Sequence, residues 1–382
     1  MERTTSIILK NFRSASRPGF STICINSGVI AAGAGRDGSE FIDLGGATLF
    51  PGFIDVHNHG AMGIDVNEAD ADGLLEIARF LAQNGVTAWL PTFVPDSDET
   101  YRRVIGEIEK VVAMQSTLAI AQIVGVHYEG VFANTQMCGA LRPEYFKTFS
   151  GGELAQLPTP ADGALMTTFA PEIEGGVELA AELARLGWIG SIGHTNAAPD
   201  VLDAAFSNGA RHMTHFFNAM TGLHHRDVGV AGWGLTRDVT VDVIADGIHV
   251  HPDVLRFLIN EKGDDRVSLI SDSVAPAGLG DGDFELWGET IAVRDGRTQN
   301  ERGSIAGSVI SVLDAVRTCR KIGLADASIA KMASLNPARL LGLESGRGSI
   351  EAGKRADLVA IDDAGNCVFS MIGGLIAVDP RS

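Results

Sequence analysis

The sequence predicts a (β/α)8 barrel of the TIM type with a small β-sandwich domain formed by both chain ends. Two observations predict it. Short apolar runs alternate with amphipathic segments through the middle of the 382-residue chain, and strand-like segments without long helices occupy both ends. Hydrophobic residues make up 45% of the chain, which is enough for a large core. A strand–helix alternation repeated eight times is typical of a parallel barrel.

Eight apolar runs, each ending in polar or glycine residues, supply the predicted barrel strands. The runs lie at 53–56, 87–90, 122–126, 164–169, 188–192, 212–214, 240–244 and 267–270. Helical patterns lie between most of them, at 71–85 (with Gly85 as its C-cap), 99–114, 175–187, 198–209 and 251–260. This order places each helix between two neighbouring parallel strands.

Short strands separated by turns are predicted at both chain ends. The first 50 residues carry them at 6–9, 21–26, 29–32 and 41–44, with a glycine-rich turn at 31–38. The segments 353–362 and 367–378 are also strand-like, with a turn over 362–366 between them. We therefore expect residues 1–50 and 347–382 to form one β-sandwich domain, and residues 51–346 to form the barrel.

One segment interrupts the alternation after the eighth strand. Residues 277–304 have the pattern of a β-hairpin with a turn at Asp295–Gly296. This insertion would lie at the carboxyl end of the barrel strands, where barrel active sites are built. A lid over the site and a plain surface insertion both fit the pattern.

Charge and cysteine content narrow the class of protein. The formal net charge is −18 and the isoelectric point is about 4.9, so nucleic acid and anionic membranes are not expected as partners. Cys24, Cys138, Cys319 and Cys367 are scattered without a CxxC motif, which favours reduced thiols in a cytoplasmic enzyme. We expect neither a signal peptide nor a membrane span.

Six His, Asp and Glu residues fall at the carboxyl ends of predicted strands. They are His57 and His59 after strand one, Glu129 after strand three, His194 after strand five, His215 at the end of strand six and Asp272 after strand eight. Residues two apart in an extended segment point to the same side, so His57 and His59 can serve one ion. Imidazole and carboxylate together suit zinc, iron, manganese or cobalt.

This set of residues predicts hydrolytic chemistry. A metal ion lowers the pKa of bound water toward 7 and polarises a carbonyl oxygen. Asp272 could take the proton of that water and deliver it to a leaving amine, although it could instead cap the following helix. The fourth strand segment, 164–173, contains no lysine, so Glu129 is the available carboxylate for bridging two metals.

Nine segments carry the motifs of one known family. They are PGFIDVHNHG (51–60), GVHYEG (125–130), IGHTNA (192–197), THFFNAM (214–220), ADGIHV (245–250), SDSVAPAG (271–278), IAGS (305–308), NPARLLGL (336–343) and GKRADLVAID (353–362). The chain in this respect resembles the N-acetylglucosamine-6-phosphate deacetylases of the amidohydrolase superfamily. The motifs occur in family order and cover nearly the whole chain.

The resemblance implies a role for each candidate residue and a homodimer. Glu129, His194 and His215 would bind the principal metal, and His57 and His59 a second, so one or two divalent ions per subunit are expected. Asp272 would be the catalytic acid and base. For the phosphorylated amino sugar, Asn218 and Ala219 would contact the sugar, Ile305, Ala306 and Gly307 would lie near the acetyl group, and Arg226 and His249 would hold the 6-phosphate of the neighbouring subunit's substrate.

The chain departs from the family pattern beside this site. The family segment HLEGPF is HYEGVF here, and the family segment KGAH, whose histidine polarises the acetyl carbonyl, is CGAL. Ala140 and Leu141 thus lie in the substrate-binding segment, and leucine cannot donate a hydrogen bond. A second metal, Arg142 or Tyr128 could take over this role, or the substrate could differ.

We therefore expect metal-dependent hydrolysis of the N-acetyl group of an amino-sugar 6-phosphate, with N-acetylglucosamine 6-phosphate as the first candidate. The alternatives are a related metallo-amidohydrolase that acts on another N-acyl sugar, an N-acyl amino acid or a cyclic amide, and a non-catalytic metal- or sugar-binding protein.

Overall fold

Eight parallel strands form the centre of the molecule and confirm the predicted barrel. The computed structural model describes residues 6–33 and 38–381, so half of the turn expected at 31–38, residues 34–37, lies outside the described residues. The strands neighbour one another in chain order. They are Phe53–Asn58, Val86–Phe93, Gly125–Phe132, Ala164–Phe169, Ile189–Ile192, His212–Met213, Thr240–Ile244 and Val267–Ile270, with a short strand Gln122–Ile123 before the third.

The barrel closes between its first and eighth strands. Asn58 forms a parallel bridge with Ser273, and the amide of Asp272 donates a 2.9 Å hydrogen bond to the carbonyl oxygen of His57. Closure therefore places the segment His57–Asn58–His59, the HxH segment, directly beside Asp272.

Strands one and three are longer than their apolar runs, which changes the position of two site residues. His57 lies within the strand Phe53–Asn58, and Glu129 lies within Gly125–Phe132, where it pairs with Thr168. Both were expected in the loops that follow. These strands are buried on both sides, so a polar residue near the end of a strand does not mark where the strand stops. Its backbone still hydrogen-bonds to the neighbouring strand.

Amphipathic helices surround the barrel and confirm the predicted helical segments. The α-helices are Ala71–Gln83, Asp98–Met114, Gly176–Leu186, Pro199–Ser207, Gly229–Thr236, Pro252–Lys262, Val312–Lys321, Asp326–Ala330 and Asn336–Leu340. The first ends one residue earlier than expected: Asn84 is its C-cap, and Gly85 follows with a φ of 78°. Gly229–Thr236 was not predicted because it is almost completely buried and lacks a polar face.

Shorter helical turns fill the remaining connections. Three 3₁₀ turns, Thr135–Met137, Pro143–Tyr145 and Leu154–Gln156, replace an α-helix after strand three. A further 3₁₀ turn spans Gln115–Thr117, and a π-helical turn spans Lys331–Leu335. Among the described residues, no helix combines the length and the apolar character needed to cross a membrane.

Both chain ends contribute to two packed sheets. One contains Ser6–Lys10, Thr22–Asn26, Val29–Ile30 and Glu40–Asp43; the other contains Arg13–Ser14, Thr48–Pro51, Leu358–Ile361, Cys367–Ile372 and Leu375–Val378. Leu9 and Ile25 of the first sheet share a buried core with Leu49, Leu358 and Phe369 of the second. The predicted sandwich of both chain ends is confirmed, whereas the domain limits at 50 and 347 stay a prediction.

The insertion at 277–304 contains three strands, so the prediction of a two-stranded hairpin was wrong. Gly282–Leu286, Glu289–Arg294 and Arg297–Gln299 form an antiparallel sheet. The expected turn at Asp295–Gly296 is present between the second and third strands. An additional turn at Trp287–Gly288 was missed because a tryptophan is not a typical turn residue. A separate two-stranded sheet, Gly60–Ala61 with Ile64–Asp65, lies after strand one.

Asp357 joins the sandwich to the barrel. Its buried carboxylate is paired with Arg347 and, at 2.9 Å, with Arg355, and it accepts a 2.8 Å hydrogen bond from the amide of Gly373. Arg347 also donates to the side chain of Gln122 in the barrel at 2.7 Å. One carboxylate therefore compensates the positive charge buried between the two parts.

We predict that Asp357→Asn lowers the free energy of unfolding by about 3–5 kcal/mol, because it leaves the Arg347 guanidinium buried without its counter-charge. The measurement is urea unfolding followed by circular dichroism. Asp363→Asn is the control, since Asp363 pairs with Arg13 at the surface, where the two side chains are 85% and 57% exposed. Such a pair contributes about 1 kcal/mol at most. Equal losses in the two variants would contradict the role of Asp357.

Candidate active site

The six predicted ligand and acid–base residues meet in one buried cluster at the carboxyl ends of the barrel strands. His57, His59, Glu129, His194, His215 and Asp272 are each at most 7% exposed. They come from strands one, three, five, six and eight, so the cluster exists only when the barrel is closed.

Glu129 lies at the centre of this cluster. Its Oε1 atom is 3.4 Å from Nε2 of His57, 3.1 Å from Nε2 of His194 and 2.9 Å from Nε2 of His215. Its Oε2 atom is 3.2 Å from Nε2 of His59. The carboxylate thus connects the pair His57 and His59 to the pair His194 and His215.

Asp272 lies on the other side of the HxH pair. Its Oδ1 atom is 3.4 Å from Nε2 of His57 and 3.3 Å from Nε2 of His59. It does not cap a helix, because the next α-helix begins only at Val312. The alternative that Asp272 is an N-cap is therefore wrong.

The donor atoms fit a bound cation. The Nε2 atoms of His57 and His59 are 3.0 Å apart, as are those of His194 and His215. Nδ1 of His59 is 3.0 Å from the carbonyl oxygen of Thr92, and Nδ1 of His194 is 2.8 Å from that of Met137. A carbonyl oxygen only accepts, so each Nδ1 is the donor and Nε2 can offer a lone pair.

Within the described part of the chain, two overlapping groups of residues could hold a metal ion, namely His57, His59 and Glu129, and Glu129, His194 and His215. In addition, Nδ1 of His57 and Nδ1 of His215 are buried without a hydrogen-bond partner among the described residues. Imidazoles that share one carboxylate in this way are suited to a divalent ion of the zinc, iron, manganese or cobalt kind.

The electrostatics of the cluster favour added positive charge. Burial opposes charge on His59 and His215, but the carboxylates of Glu129 and Asp272 raise the pKa of His59 to about 10 and the pKa of His215 to about 9. Burial also opposes charge on the two carboxyl groups, yet the neighbouring imidazoles hold the pKa of Glu129 well below its usual value and lower that of Asp272. Protons and metal ions therefore compete for the same buried site.

Two buried aspartates position the ligands, and both were missed from the sequence. Asp55 accepts hydrogen bonds from the hydroxyl of Ser271 at 2.6 Å and the side chain of Asn58 at 3.2 Å, which ties strand one to the segment before Asp272. Asp242 accepts from the backbone amide of His215 and lies 3.0 Å from Nε2 of His212. Each is a lone acidic residue inside an apolar strand, and this pattern could have indicated a buried positioning role.

The backbone at three site residues is left-handed. His194, His215 and Asp272 have φ values of 49°, 32° and 50°. Non-glycine residues rarely adopt such angles, and they concentrate at functional sites where the surrounding structure holds them. Each of these turns follows the end of a barrel strand and directs the side chain into the cluster.

A cavity of about 310 Å³ opens onto the cluster. Its lining combines site residues with Ala140, Leu141, Asn218, Ala219, His249, Ile305 and Gly307, which were expected at the substrate, and with Gly139, Trp287 and Ser304, to which no role was assigned. Ala306 is buried and does not line the cavity. Arg226 is exposed and does not line the cavity either. His249 lies in the cavity of its own chain, which differs from the expected reach into a neighbouring one.

Neither side chain suggested as a substitute for the missing histidine faces the cavity. Tyr128 points outward from strand three, where its hydroxyl donates to the carbonyl of Pro158 and its ring packs on Phe93. Arg142 donates to the carboxylate of Asp96 at 2.6 Å and lies over the ring of Tyr145. Both suggestions are therefore wrong, and Leu141 leaves this side of the cavity apolar.

Comparison with known proteins agrees with this geometry. The amidohydrolase family matches residues 48–376. The N-acetylgalactosamine-6-phosphate deacetylase of Escherichia coli O157:H7 is 37% identical, with 82% of this chain and 83% of that protein covered. The N-acetylglucosamine-6-phosphate deacetylase of Bacillus subtilis (strain 168) is 33% identical, with 87% and 85% covered.

Solved structures show the same architecture. The N-acetylglucosamine-6-phosphate deacetylase of Thermotoga maritima superposes with a TM-score of 0.87 at 31% identity and covers 97% of this chain and 99% of its own. A variant of the Mycobacterium smegmatis enzyme in complex with N-acetyl-D-glucosamine-6-phosphate superposes with a TM-score of 0.88 at 30% identity and covers 98% and 99%. The chain therefore belongs to the amidohydrolase family and, within it, to the N-acetylglucosamine-6-phosphate deacetylases.

Proposed function

We propose that the protein hydrolyses the N-acetyl group of an amino-sugar 6-phosphate to acetate and the free amino-sugar phosphate, with N-acetylglucosamine 6-phosphate as the first candidate. The observation that carries the proposal is the position of the Asp272 carboxylate, which lines the cavity within 3.4 Å of the HxH imidazoles. An acid–base group beside a set of metal ligands is the arrangement that amide hydrolysis needs.

The chain's own residues supply binding and proton transfer. Glu129, His194 and His215 would hold one divalent ion, and His57 and His59 a second. When bound, such an ion makes water more acidic and polarises the amide carbonyl. Asp272, kept anionic by its imidazole neighbours, takes a proton from the attacking water and delivers it to the amide nitrogen as the C–N bond breaks.

The cavity also suggests how the sugar phosphate binds. Asn218 offers an amide beside the cluster, and His249 reaches the cavity while its Nδ1 atom lies 2.6 Å from the carboxylate of Asp246. Arg226 is exposed, so we propose that it completes the phosphate site of a second subunit in a homodimer. The four cysteines are free thiols, which supports a cytoplasmic location.

N-acetylgalactosamine 6-phosphate is the second candidate substrate, favoured by the 37% identity to the Escherichia coli enzyme of that name. The deciding experiment measures acetate release from N-acetyl glucosamine and galactosamine, each with and without the 6-phosphate, with the metal content of the same sample. Activity on neither phosphorylated sugar would contradict the proposed function and favour another acyl substrate.

We predict that Asp272→Asn lowers kcat by about 10²–10⁴-fold while the metal content stays unchanged, because the amide cannot carry the proton. The measurement combines acetate release with metal analysis. Asp283→Asn, at an exposed ion pair of the inserted sheet, is the control and should keep full activity. A kcat within threefold of wild type for Asp272→Asn would contradict the mechanism.

Removal of divalent ions by chelation should abolish acetate release, and returning zinc, iron, manganese or cobalt should restore it. Since protons bound at His59 and His215, with pKa values of about 10 and 9, compete with the metal, affinity should be higher at pH 8 than at pH 6. Calorimetry in buffers of different ionisation enthalpy measures the released protons. Full turnover after chelation, or binding without proton release, would contradict this prediction.

We predict that Arg226→Ala raises the KM for a phosphorylated substrate about tenfold or more and leaves the KM for its unphosphorylated analogue unchanged, because a guanidinium binds phosphate through charged hydrogen bonds. Arg237→Ala is the control, since this exposed arginine pairs with Asp203. If Arg226→Ala affects both substrates equally, it has no phosphate role.

A further inference from the structure

Trp287 occupies an unusual backbone position in the inserted sheet. Leu286 pairs with Glu289, so Trp287 and Gly288 form a two-residue turn with φ values of 55° and 79°. The other turn of this sheet, Asp295–Gly296, has the same conformation and a sequence that such turns favour. A bulky residue with positive φ is an outlier and persists only where its surroundings hold it.

Two kinds of contact hold the indole of Trp287. Its Nε1 atom donates a 2.9 Å hydrogen bond to the buried carboxylate of Asp65. Its ring packs on a hydrophobic cluster that includes Leu286, Ile291 and Ala306, and lies 5.9 Å from the ring of His59, centroid to centroid. Since Nε1 already has a partner, the indole presents carbon atoms to the cavity.

The cavity has an apolar side next to Trp287. Ala140 packs on the same hydrophobic cluster as Trp287, and Ala306 belongs to it. Their chain neighbours Leu141 and Ile305 line the cavity. Arg302 also connects the inserted sheet to the loop that contains Ala140. Its guanidinium lies 2.9 Å from Glu289 and 3.3 Å from the carbonyl oxygen of Ala140.

Two polar residues of the cavity come from other strands than Leu141 and Trp287, whereas Ser304 directly precedes Ile305. Asn218 and His249 follow strands six and seven. Sugar hydroxyls and a phosphate need such partners, because a polar group buried without a hydrogen bond is costly. The reacting carbonyl carbon must lie beside Asp272 and the imidazoles, and its acyl substituent is attached directly to it. Trp287 supplies the apolar surface beside His59. The acyl substituent therefore contacts this residue.

We propose that Trp287 is a specificity-determining residue that forms the end wall of the acyl subsite and limits the enzyme to short acyl groups such as acetyl. This inference rests on the proposed deacetylase function and adds to it the element that selects the acyl group. Asp65 acts as a positioning residue, because it holds the indole against the cavity.

The test compares kcat/KM for N-acetyl, N-propionyl and N-butyryl forms of the same amino-sugar 6-phosphate. In the wild-type enzyme, each added methylene should lower kcat/KM about tenfold or more. Trp287→Gly removes the wall and suits the left-handed backbone, so the butyryl-to-acetyl ratio should rise about tenfold or more. Asp295→Gly is the matched control in the equivalent, exposed turn and should keep the wild-type ratio.

A binding measurement complements the kinetics. Trp89, Trp188 and Trp233 are each at most 9% exposed, whereas Trp287 lines the cavity. In Asp272→Asn, in which turnover should be about 10²–10⁴-fold slower, the N-acetyl substrate should change tryptophan fluorescence, and the additional change Trp287→Phe should remove that response.

The outcomes separate the two proposals. Deacetylation by wild type with an unchanged acyl ratio in a folded Trp287→Gly variant would overturn the wall and leave the deacetylase function intact. A fluorescence response that persists without Trp287 would also overturn it. Wild type without activity on any of the N-acyl amino-sugar phosphates would overturn the proposed function and the wall together.

Discussion

The carboxylate of Glu129 is the group on which the centre of the barrel depends, because four imidazoles direct Nε2 atoms to it within 3.4 Å. Four such rings around one buried carboxylate require added positive charge to offset the loss of solvation. The raised pKa values of His59 and His215 express the same requirement as an affinity for protons. One divalent ion could supply the positive charge that two protons would otherwise supply, and the Nε2 lone pairs could bind it.

This central charge explains the polar structure around it. Asp55 and Asp242 are fully buried carboxylates, and each is hydrogen-bonded to the backbone or side chains that carry the ligands. Left-handed backbones at His194, His215 and Asp272 complete the arrangement. Buried charges and unfavourable φ angles are destabilising in isolation, so the closed barrel must supply the stability that keeps them in place.

The cavity above the cluster is asymmetric. Asn218 and His249 line it with polar groups, whereas Leu141, Ile305 and Trp287 line it with apolar groups. Leu141 stands in place of the family histidine, and the side chains of Arg142 and Tyr128 are hydrogen-bonded elsewhere. The side of the cavity at Leu141 is therefore apolar, and it is the side on which we propose that Trp287 limits the acyl group.

The barrel, the sandwich of both chain ends and the six residues of the cluster could all be predicted from the sequence. Those features follow from local periodicity and from the rule that parallel strands end at one face. The third strand of the insertion, the hydrogen bond of Arg142 to Asp96 and the placement of Trp287 in the cavity depend on tertiary contacts and could not be predicted. Contacts such as Asp55 with Ser271 or Trp287 with Asp65 join residues more than 200 positions apart. Local patterns carry no information about such pairs, because they form only when the first and eighth strands meet.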